Sequence, residues 1–173
     1  MKGAVETTET FKYIILFTFL FAAFLTLAIT YNKAFRLKNE TLTILEKYEG
    51  NQNGFNIINN YLQKSSYKTV GKCNLEDNKD VYGVIFGENN NLPELVDENK
   101  SKNKNYNYCI TYRCKDEVCG VGRTDDAPNG NYIYYDVTLF YKFNLPIIGD
   151  ILTFNISGET KAISLYDEFQ KFE

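Results

Sequence analysis

The sequence predicts an α+β fold in which one long N-terminal helix is followed by a short helix and an antiparallel sheet. Three observations carry this prediction. A charge-free apolar run occupies residues 13–31, and neither Gly nor Pro occurs between Ala4 and Glu49. From Tyr67 onwards the apolar residues follow a period close to two. A sheet that follows a helix in this order packs its apolar face against that helix.

The apolar run at 13–31 is the strongest signal in the chain. At about 1.5 Å per residue it is long enough to cross the roughly 30 Å hydrocarbon core of a bilayer. Tyr13 and Tyr31 bracket it at the depth that aromatic rings prefer. We interpret it as a transmembrane helix. The alternatives are a buried core helix and a cleaved signal peptide with a weak cleavage site at Ala28-Ile29-Thr30.

Residues 32–50 have the pattern of an amphipathic extension of the same helix. An apolar stripe follows one side, and Gly50 is suited to the position just after a helix end. The pattern fits either one helix of about forty residues or two helices with a bend near Asn32. We expect this half to lie against the rest of the chain through Ala34, Phe35, Leu37, Leu42, Ile44, Leu45 and Tyr48.

Residues 51–173 are expected to form a small α+β head. A turn at 51–54 precedes a short helix over 55–64. The polar stretch 88–107 predicts a mobile loop. Strands or buried extended segments are expected at 67–73, 81–86, 108–114, 132–143 and 151–166, with turns at 115–118, 125–130 and 145–150.

Composition excludes several classes of function. The chain has 173 residues, a formal net charge of −3 and no histidine, which excludes His-dependent catalysis and His-ligated zinc. The charge balance and the pI of about 5.2 argue against nucleic acid as a partner. No grouping of nucleophile, base and oxyanion donors is present. We therefore expect a protein that is not an enzyme and binds no cofactor.

Four cysteines, all of them after the apolar run, predict a disulfide framework. An even number of cysteines in a small domain is typical of an oxidising exterior. Spacing alone permits three pairings, and our expectation is Cys114 with Cys119 and Cys73 with Cys109. A four-cysteine zinc site is the rival, although Cys73 stands apart from the others and structural zinc usually has two close pairs.

The expected topology places residues 1–12 in the cytoplasm as a short leader and the head outside the membrane. Counting Lys and Arg alone opposes this, because Lys33, Arg36, Lys38 and Lys47 follow the span. A following region of about 140 residues, however, crosses the membrane with little regard to charge, and the cysteines fit the exterior. We predict a single-pass protein with its N-terminus inside.

Both ends of the chain resemble one known family. The segment Lys2-Gly3-Ala4-Val5-Glu6-Thr7-Thr8-Glu9-Thr10-Phe11 stands directly before the apolar helix. Near the other end, residues 135–149 contain Leu145-Pro146 and are followed by Ile156-Ser157-Gly158-Glu159-Thr160. In these two features the chain resembles the TadE-like minor pilins and pseudopilins of tight-adherence pili. Their prepilins have a short leader before an apolar helix, and their sequence closes on a strand, Leu-Pro and a strand.

The resemblance implies a pilin-like structural subunit. It implies leader processing between Gly3 and Ala4, and it implies that Glu6 or Glu9 contacts a neighbouring subunit. Taken without the family, these two acids are simply N-terminal helix residues in the cytoplasm. The implied partners are the lipid bilayer, other pilin-like subunits, the assembly machinery and a prepilin peptidase. The alternatives are a single-span, membrane-anchored extracellular binding module and an accessory subunit of a membrane complex.

Overall fold

A computed structural model describes residues 2–75, 80–88, 92–114, 132–145 and 149–164, and it has the α+β fold that the sequence predicts. Its helices are α1 (Lys2–Lys47), α2 (Gln52–Lys64) and α3 (Glu98–Asn103). Its strands are β1 (Val81–Val84), β2 (Glu94–Leu95), β3 (Tyr108–Cys114), β4 (Tyr132–Leu145), β5 (Gly149–Glu159) and β6 (Ile163–Ser164).

Helix α1 is one unbroken helix of 46 residues, so the alternative of two helices bent near Asn32 is wrong. The chain leaves the helix through Glu49 (φ 51°) and Gly50 (φ 68°), and the Gly50 amide donates to the Leu45 carbonyl at 3.2 Å. Position 50 also has no room for a side chain, because a Cβ there would clash with the Tyr135 hydroxyl group. The left-handed turn that ends the helix thus begins one residue before Gly50.

The sheet is antiparallel throughout, with strand order β2-β1-β3-β4-β5, and β6 pairs with the start of β4. The predicted strand at 151–166 is therefore two strands. Thr160 stands between them: its amide donates to the Tyr135 carbonyl at 2.9 Å, and its hydroxyl accepts from the Tyr135 amide at 3.0 Å. Tyr135 thus holds the chain in place where β5 ends.

The main core lies between the helices and one face of the sheet, here called the inner face. Alternate residues of β4 are buried there, as the period of two predicts. Helix α2 adds Phe55, Ile58 and Leu62. It begins at Gln52 rather than 55, because the Asn51 side chain accepts from the Gly54 amide at 2.9 Å and caps the helix. The buried inner-face residues of β4 are Ile133, Tyr135, Val137, Leu139 and Tyr141.

The segment 67–73 was predicted as a strand or a buried extended segment. It is not a regular strand, since within it only Gly71 forms a bridge, to Tyr106, while Tyr67 and Cys73 are buried at its two ends. One other part of the head differs from the prediction. The polar segment 88–107, predicted as a mobile loop, contains β2 and α3 among its described residues. The Asp97 side chain caps α3 by accepting from the Lys100 amide at 2.7 Å. Mobility of this segment remains a prediction, but its lack of secondary structure was wrong.

Tyr67 joins three parts of the head through its hydroxyl. This group donates to the Asn107 carbonyl at 2.7 Å and accepts from the Phe140 amide at 2.8 Å. Burial raises the pKa of Tyr67 well above its ordinary value, although the bond from Phe140 opposes the shift. The hydroxyl therefore stays neutral and acts as both donor and acceptor.

We expect Tyr67→Phe to lower the free energy of unfolding by about 1–3 kcal/mol, because two buried backbone groups lose their partner. The measurement is urea unfolding of the full chain in detergent, followed by circular dichroism. Tyr13→Phe is the matched control, since Tyr13 is 69% exposed on α1, and it should leave the midpoint unchanged. Equal midpoints for both variants would contradict the assigned role of Tyr67.

Candidate functional site: an apolar helix fused to a disulfide-bonded head

The first half of α1 exposes a continuous apolar surface. Its most apolar stretch of 18 residues is 0% buried. The side chains of Phe17 and Phe24 in this half of the helix are 70% and 68% exposed. By length and composition this helix can cross a membrane. The alternative of a buried core helix is wrong, because no part of this apolar stretch is buried in the head.

The threonine hydroxyls of the apolar segment are satisfied within the helix. The hydroxyls of Thr18, Thr26 and Thr30 donate to the carbonyls four residues earlier, at 2.8, 2.8 and 2.9 Å. This arrangement leaves few unbonded polar atoms toward lipid. Tyr13 and Tyr31 are 69% and 54% exposed at its two ends, which is the arrangement of an aromatic belt.

The N-terminal residues named from the sequence lie in the first turns of α1. Gly3, Ala4 and Glu6 have helical backbones, and the positions of their side chains are outside the described part of the structure. The Glu9 carboxylate lies 3.5 Å from the Lys12 ammonium, and both are largely exposed. An exposed pair of this kind contributes little to stability, so Glu9 is accessible to a partner.

Cationic residues follow the apolar segment where it reaches the head. Lys33 and Arg36 are exposed, and the Lys38 ammonium lies 4.5 Å from the centroid of the Phe35 ring. Phe35 was expected in the buried stripe but is 46% exposed. Its ring instead makes a cation–π contact with the Lys38 ammonium at the surface.

The second half of α1 is built into the head. Ala34, Leu37, Leu42 and Leu45 are buried as predicted, and Thr41, which the stripe did not include, is also buried. The Thr41 hydroxyl donates to the Leu37 carbonyl at 2.8 Å, so a polar residue is accepted in the core.

Two close approaches fix α1 on the sheet. The Tyr141 hydroxyl donates to the Ala34 carbonyl at 3.3 Å. At Gly158 of β5 a Cβ would lie 2.8 Å from the Lys38 side chain and 2.9 Å from that of Leu42. A side chain of each element therefore touches the backbone of the other, and the apolar segment is an extension of a core element.

A disulfide joins Cys73 to Cys109, with 5.6 Å between their Cα atoms. Both residues are buried in a second core on the other face of the sheet, here called the outer face, together with Val81, Val96, Tyr106 and Phe140. This bond excludes a zinc site that uses all four cysteines. Cys114 ends β3 opposite Ile133. Its side chain and the whole of Cys119 lie outside the described residues, so their pairing remains a prediction.

The outer face carries a shallow polar groove beside the disulfide. Its volume is about 240 Å³, which is below the range of ordinary small-molecule sites. Beyond its end, the Arg113 guanidinium lies 3.1 Å from Asp136 and 3.3 Å from Glu159. In the described part of the chain, no group of three or more Asp, Glu or Cys side chains could hold a metal ion. The groove is lined by Lys72, Asn74, Val81, Cys109, Thr111, Thr138, Asn155 and Ser157.

A network of charges that the sequence did not reveal joins separate parts of the segment 88–107 to one another. The Lys104 ammonium lies 2.7 Å from Glu94 and 3.0 Å from Glu88. Burial raises the pKa of the Glu94 carboxyl, but the hydrogen bond and charge of Lys104 outweigh it and hold that pKa below its usual range. Hydrogen bonds to Glu94 and Glu88 raise the pKa of Lys104.

We expect Glu94→Gln to lower the free energy of unfolding at pH 7 by about 0.5–1 kcal/mol. Because the folded-state pKa of Glu94 is lowered, its contribution is complete above the ordinary carboxyl pKa and is lost as the pH falls through the lowered value. The difference from wild type should therefore vanish in acid. Glu98→Gln is the control, since Glu98 is 83% exposed beside Lys102. A difference that persists in strong acid would contradict the assignment.

Comparison with known proteins returns no matching family model, no matching curated protein and no matching solved structure.

Proposed function

We propose that this chain is a non-catalytic, single-span membrane protein that acts as a pilin-like structural subunit. Its helix anchors it in the bilayer and joins other subunits there, and its head presents contacts outside the membrane. The observation that carries the proposal is the continuity of α1. One helix of 46 residues provides both an apolar surface long enough to span a bilayer and the central core element of the head.

This continuity distinguishes a structural subunit from a head on a flexible tether. A tethered binding domain needs no fixed angle between its anchor and its folded part, and a flexible linker usually leaves that angle free. Here Ala34 is 0% exposed only three residues after Tyr31, so the span is joined to the core of the head without a flexible linker. The same burial argues against removal of the span as a signal sequence.

The proposed orientation places the head on the exterior. The disulfide between Cys73 and Cys109 is typical of an oxidising compartment. Before Tyr13, an exposed ion pair joins Glu9 and Lys12, which suits the cytoplasmic side.

We further propose kinship with the TadE-like minor pilins of tight-adherence pili. The order of a long helix, a short helix and an antiparallel sheet packed on the first helix fits that kinship. In this assignment the chain is processed between Gly3 and Ala4, and Glu6 or Glu9 contacts a neighbouring subunit. Once the apolar helices of several subunits pack together, an acid placed among them without a partner is costly, which would favour its pairing with a cationic group on the neighbour.

The test is the intact mass of the membrane-extracted protein, combined with crosslinking in the membrane. Loss of residues 1–3 together with capture of other apolar-helix subunits through Glu9 would support the proposal. Glu9→Gln should reduce that capture, whereas Glu40→Gln, an acid on the same helix beyond the span, should not. A full-length protein that captures no other subunit would overturn the pilin assignment and leave only an anchor.

The alternative of a membrane-anchored binding module has one observation to favour it, the polar groove on the outer face. A groove of about 240 Å³ is small for a ligand site. A binding module would lose its ligand on Thr138→Lys, whereas a structural subunit would keep its assembly.

A further inference from the structure

The strands β4 and β5 run alongside α1, and their directions are fixed by contacts at both ends. Tyr135 lies against Gly50 at the far end of α1, and the Tyr141 hydroxyl reaches the Ala34 carbonyl at 3.3 Å. Residues 135–141 cover about 20 Å as a strand, and residues 34–50 about 24 Å, mostly as helix. Strand β4 therefore runs antiparallel to α1, back toward the apolar segment.

Strand β5 confirms this direction from the other side. Gly158 lies against Lys38 and Leu42, and the Lys161 amide donates to the Glu46 carboxylate at 2.8 Å. The chain thus moves away from the apolar segment as β5 proceeds. The joined ends of β4 and β5 must lie at the end of the head that faces the span.

The hairpin continues well past the contact between Tyr141 and Ala34 of α1. After Tyr141, β4 extends to Leu145, and its pairing with β5 persists to Leu145 opposite Gly149. This extension covers about 10–13 Å, allowing for strand twist. At about 1.5 Å per helical residue it reaches the level of α1 residues 25–28. Those residues lie inside the apolar segment, about 4.5–9 Å beyond Tyr31.

The composition of the hairpin changes where it passes this level. From 153 to 159 polar residues alternate with apolar ones, and Thr153, Asn155 and Ser157 are exposed. Residues 143–145 and 149–152 read Phe-Asn-Leu and Gly-Asp-Ile-Leu, and the residues that join them read Pro-Ile-Ile. A solvent-facing hairpin end is normally polar. This end is mostly apolar.

We propose that the end of the β4–β5 hairpin, residues 143–145 and 149–152, is a second membrane contact. It enters the boundary between headgroups and acyl chains beside α1. This inference rests on the proposed membrane span and adds a site to it. A depth of about 5–10 Å is that of interfacial elements in general, and the reach of the hairpin matches it.

Charged residues set the depth of this contact. Asp150 pairs with Asn144 in the strand register, and a carboxylate is tolerated among headgroups but costly in hydrocarbon. Lys142 on the hairpin and Lys33 and Arg36 on α1 are exposed close to the level of Ala34. Cations at that level suit contact with lipid phosphates. The head would thus be held against the membrane at two points, which fixes its tilt.

Single tryptophans provide the test, because the chain contains none. Leu145→Trp and Ile151→Trp report on the hairpin end, Phe24→Trp reports on the span, and Leu95→Trp reports on β2 at the opposite edge of the sheet. Each full-length variant is reconstituted in phosphatidylcholine vesicles. Fluorescence is then compared with lipid brominated near the headgroup and with lipid brominated near the chain end.

We expect the lipid brominated near the headgroup (the shallow lipid) to reduce the Leu145→Trp emission by about twofold, as for an interfacial element. The lipid brominated near the chain end (the deep lipid) should reduce it less. Phe24→Trp should be quenched by the deep lipid, and Leu95→Trp by neither. If Phe24→Trp is quenched while both hairpin variants behave like Leu95→Trp, the hairpin contact is overturned and the span stands. If Phe24→Trp is not quenched, the anchor itself fails. Blue-shifted but unquenched hairpin emission would mean that protein, not lipid, covers this end.

Discussion

Two arginines placed at the middle of the apolar segment, Leu20→Arg with Phe24→Arg, are expected to abolish integration into the membrane. Both positions lie near the centre of residues 13–31 and are 47% and 68% exposed, so neither is needed for the core of the head. An arginine at the centre of a span costs about 3 kcal/mol on insertion scales, and two on one face cost about 6 kcal/mol. The favourable insertion energy of one ordinary span is of that size.

The measurement is the fraction of the chain that resists carbonate extraction from membranes, with thiol alkylation of the same samples. The double variant should move to the soluble or aggregated fraction and keep Cys73 and Cys109 reactive, because the head would not reach an oxidising compartment. The matched control exchanges the two residues, Leu20→Phe with Phe24→Leu, and preserves composition. A double-arginine variant that remains in the carbonate-washed membrane would contradict the assignment of the span.

The sequence predicts those parts of this fold that depend on contacts close along the chain. The apolar run, the stripe that follows it and the alternation in β4 are periodic signals, and each arises because one face of a regular element is buried. Buried Leu37 and Leu45 and the inner-face residues Tyr135 and Val137 follow from that periodicity. So does the general site, an apolar helix leading into a head.

The features that the sequence did not predict depend on distant partners. Phe35 fits the apolar stripe but is 46% exposed, because β4 and β5 lie against the side of α1 that carries Ala34 and Leu42. Segment 88–107 looks unstructured by composition, yet Lys104 binds Glu88 and Glu94 and fixes it. The role of Tyr67 depends on an amide 73 positions away. No local pattern carries such information.

Loss of the bond between Cys73 and Cys109 is expected to be the most destabilising change in the head. The bond joins residues 36 positions apart, and a loop of that size restricts the unfolded chain by about 3–4 kcal/mol in the entropic model. It also ties the irregular segment before β1 to β3, which lies inside the sheet. We therefore expect Cys73→Ala with Cys109→Ala to lower the free energy of unfolding by about that amount.

Urea unfolding of the full chain in detergent tests this expectation. Tyr67→Phe is measured beside it, so that the two losses of unfolding free energy can be compared. Thr111→Ala is the matched single variant, because Thr111 lies on the same strand as Cys109 but takes no part in a disulfide. It separates loss of this bond from general disturbance of β3. Reductant should lower the unfolding midpoint of wild type by more than that of the double variant, because only wild type has the bond between Cys73 and Cys109 to lose. If the double variant unfolds at the wild-type midpoint, the bond contributes nothing to the stability of the head, and this expectation is wrong.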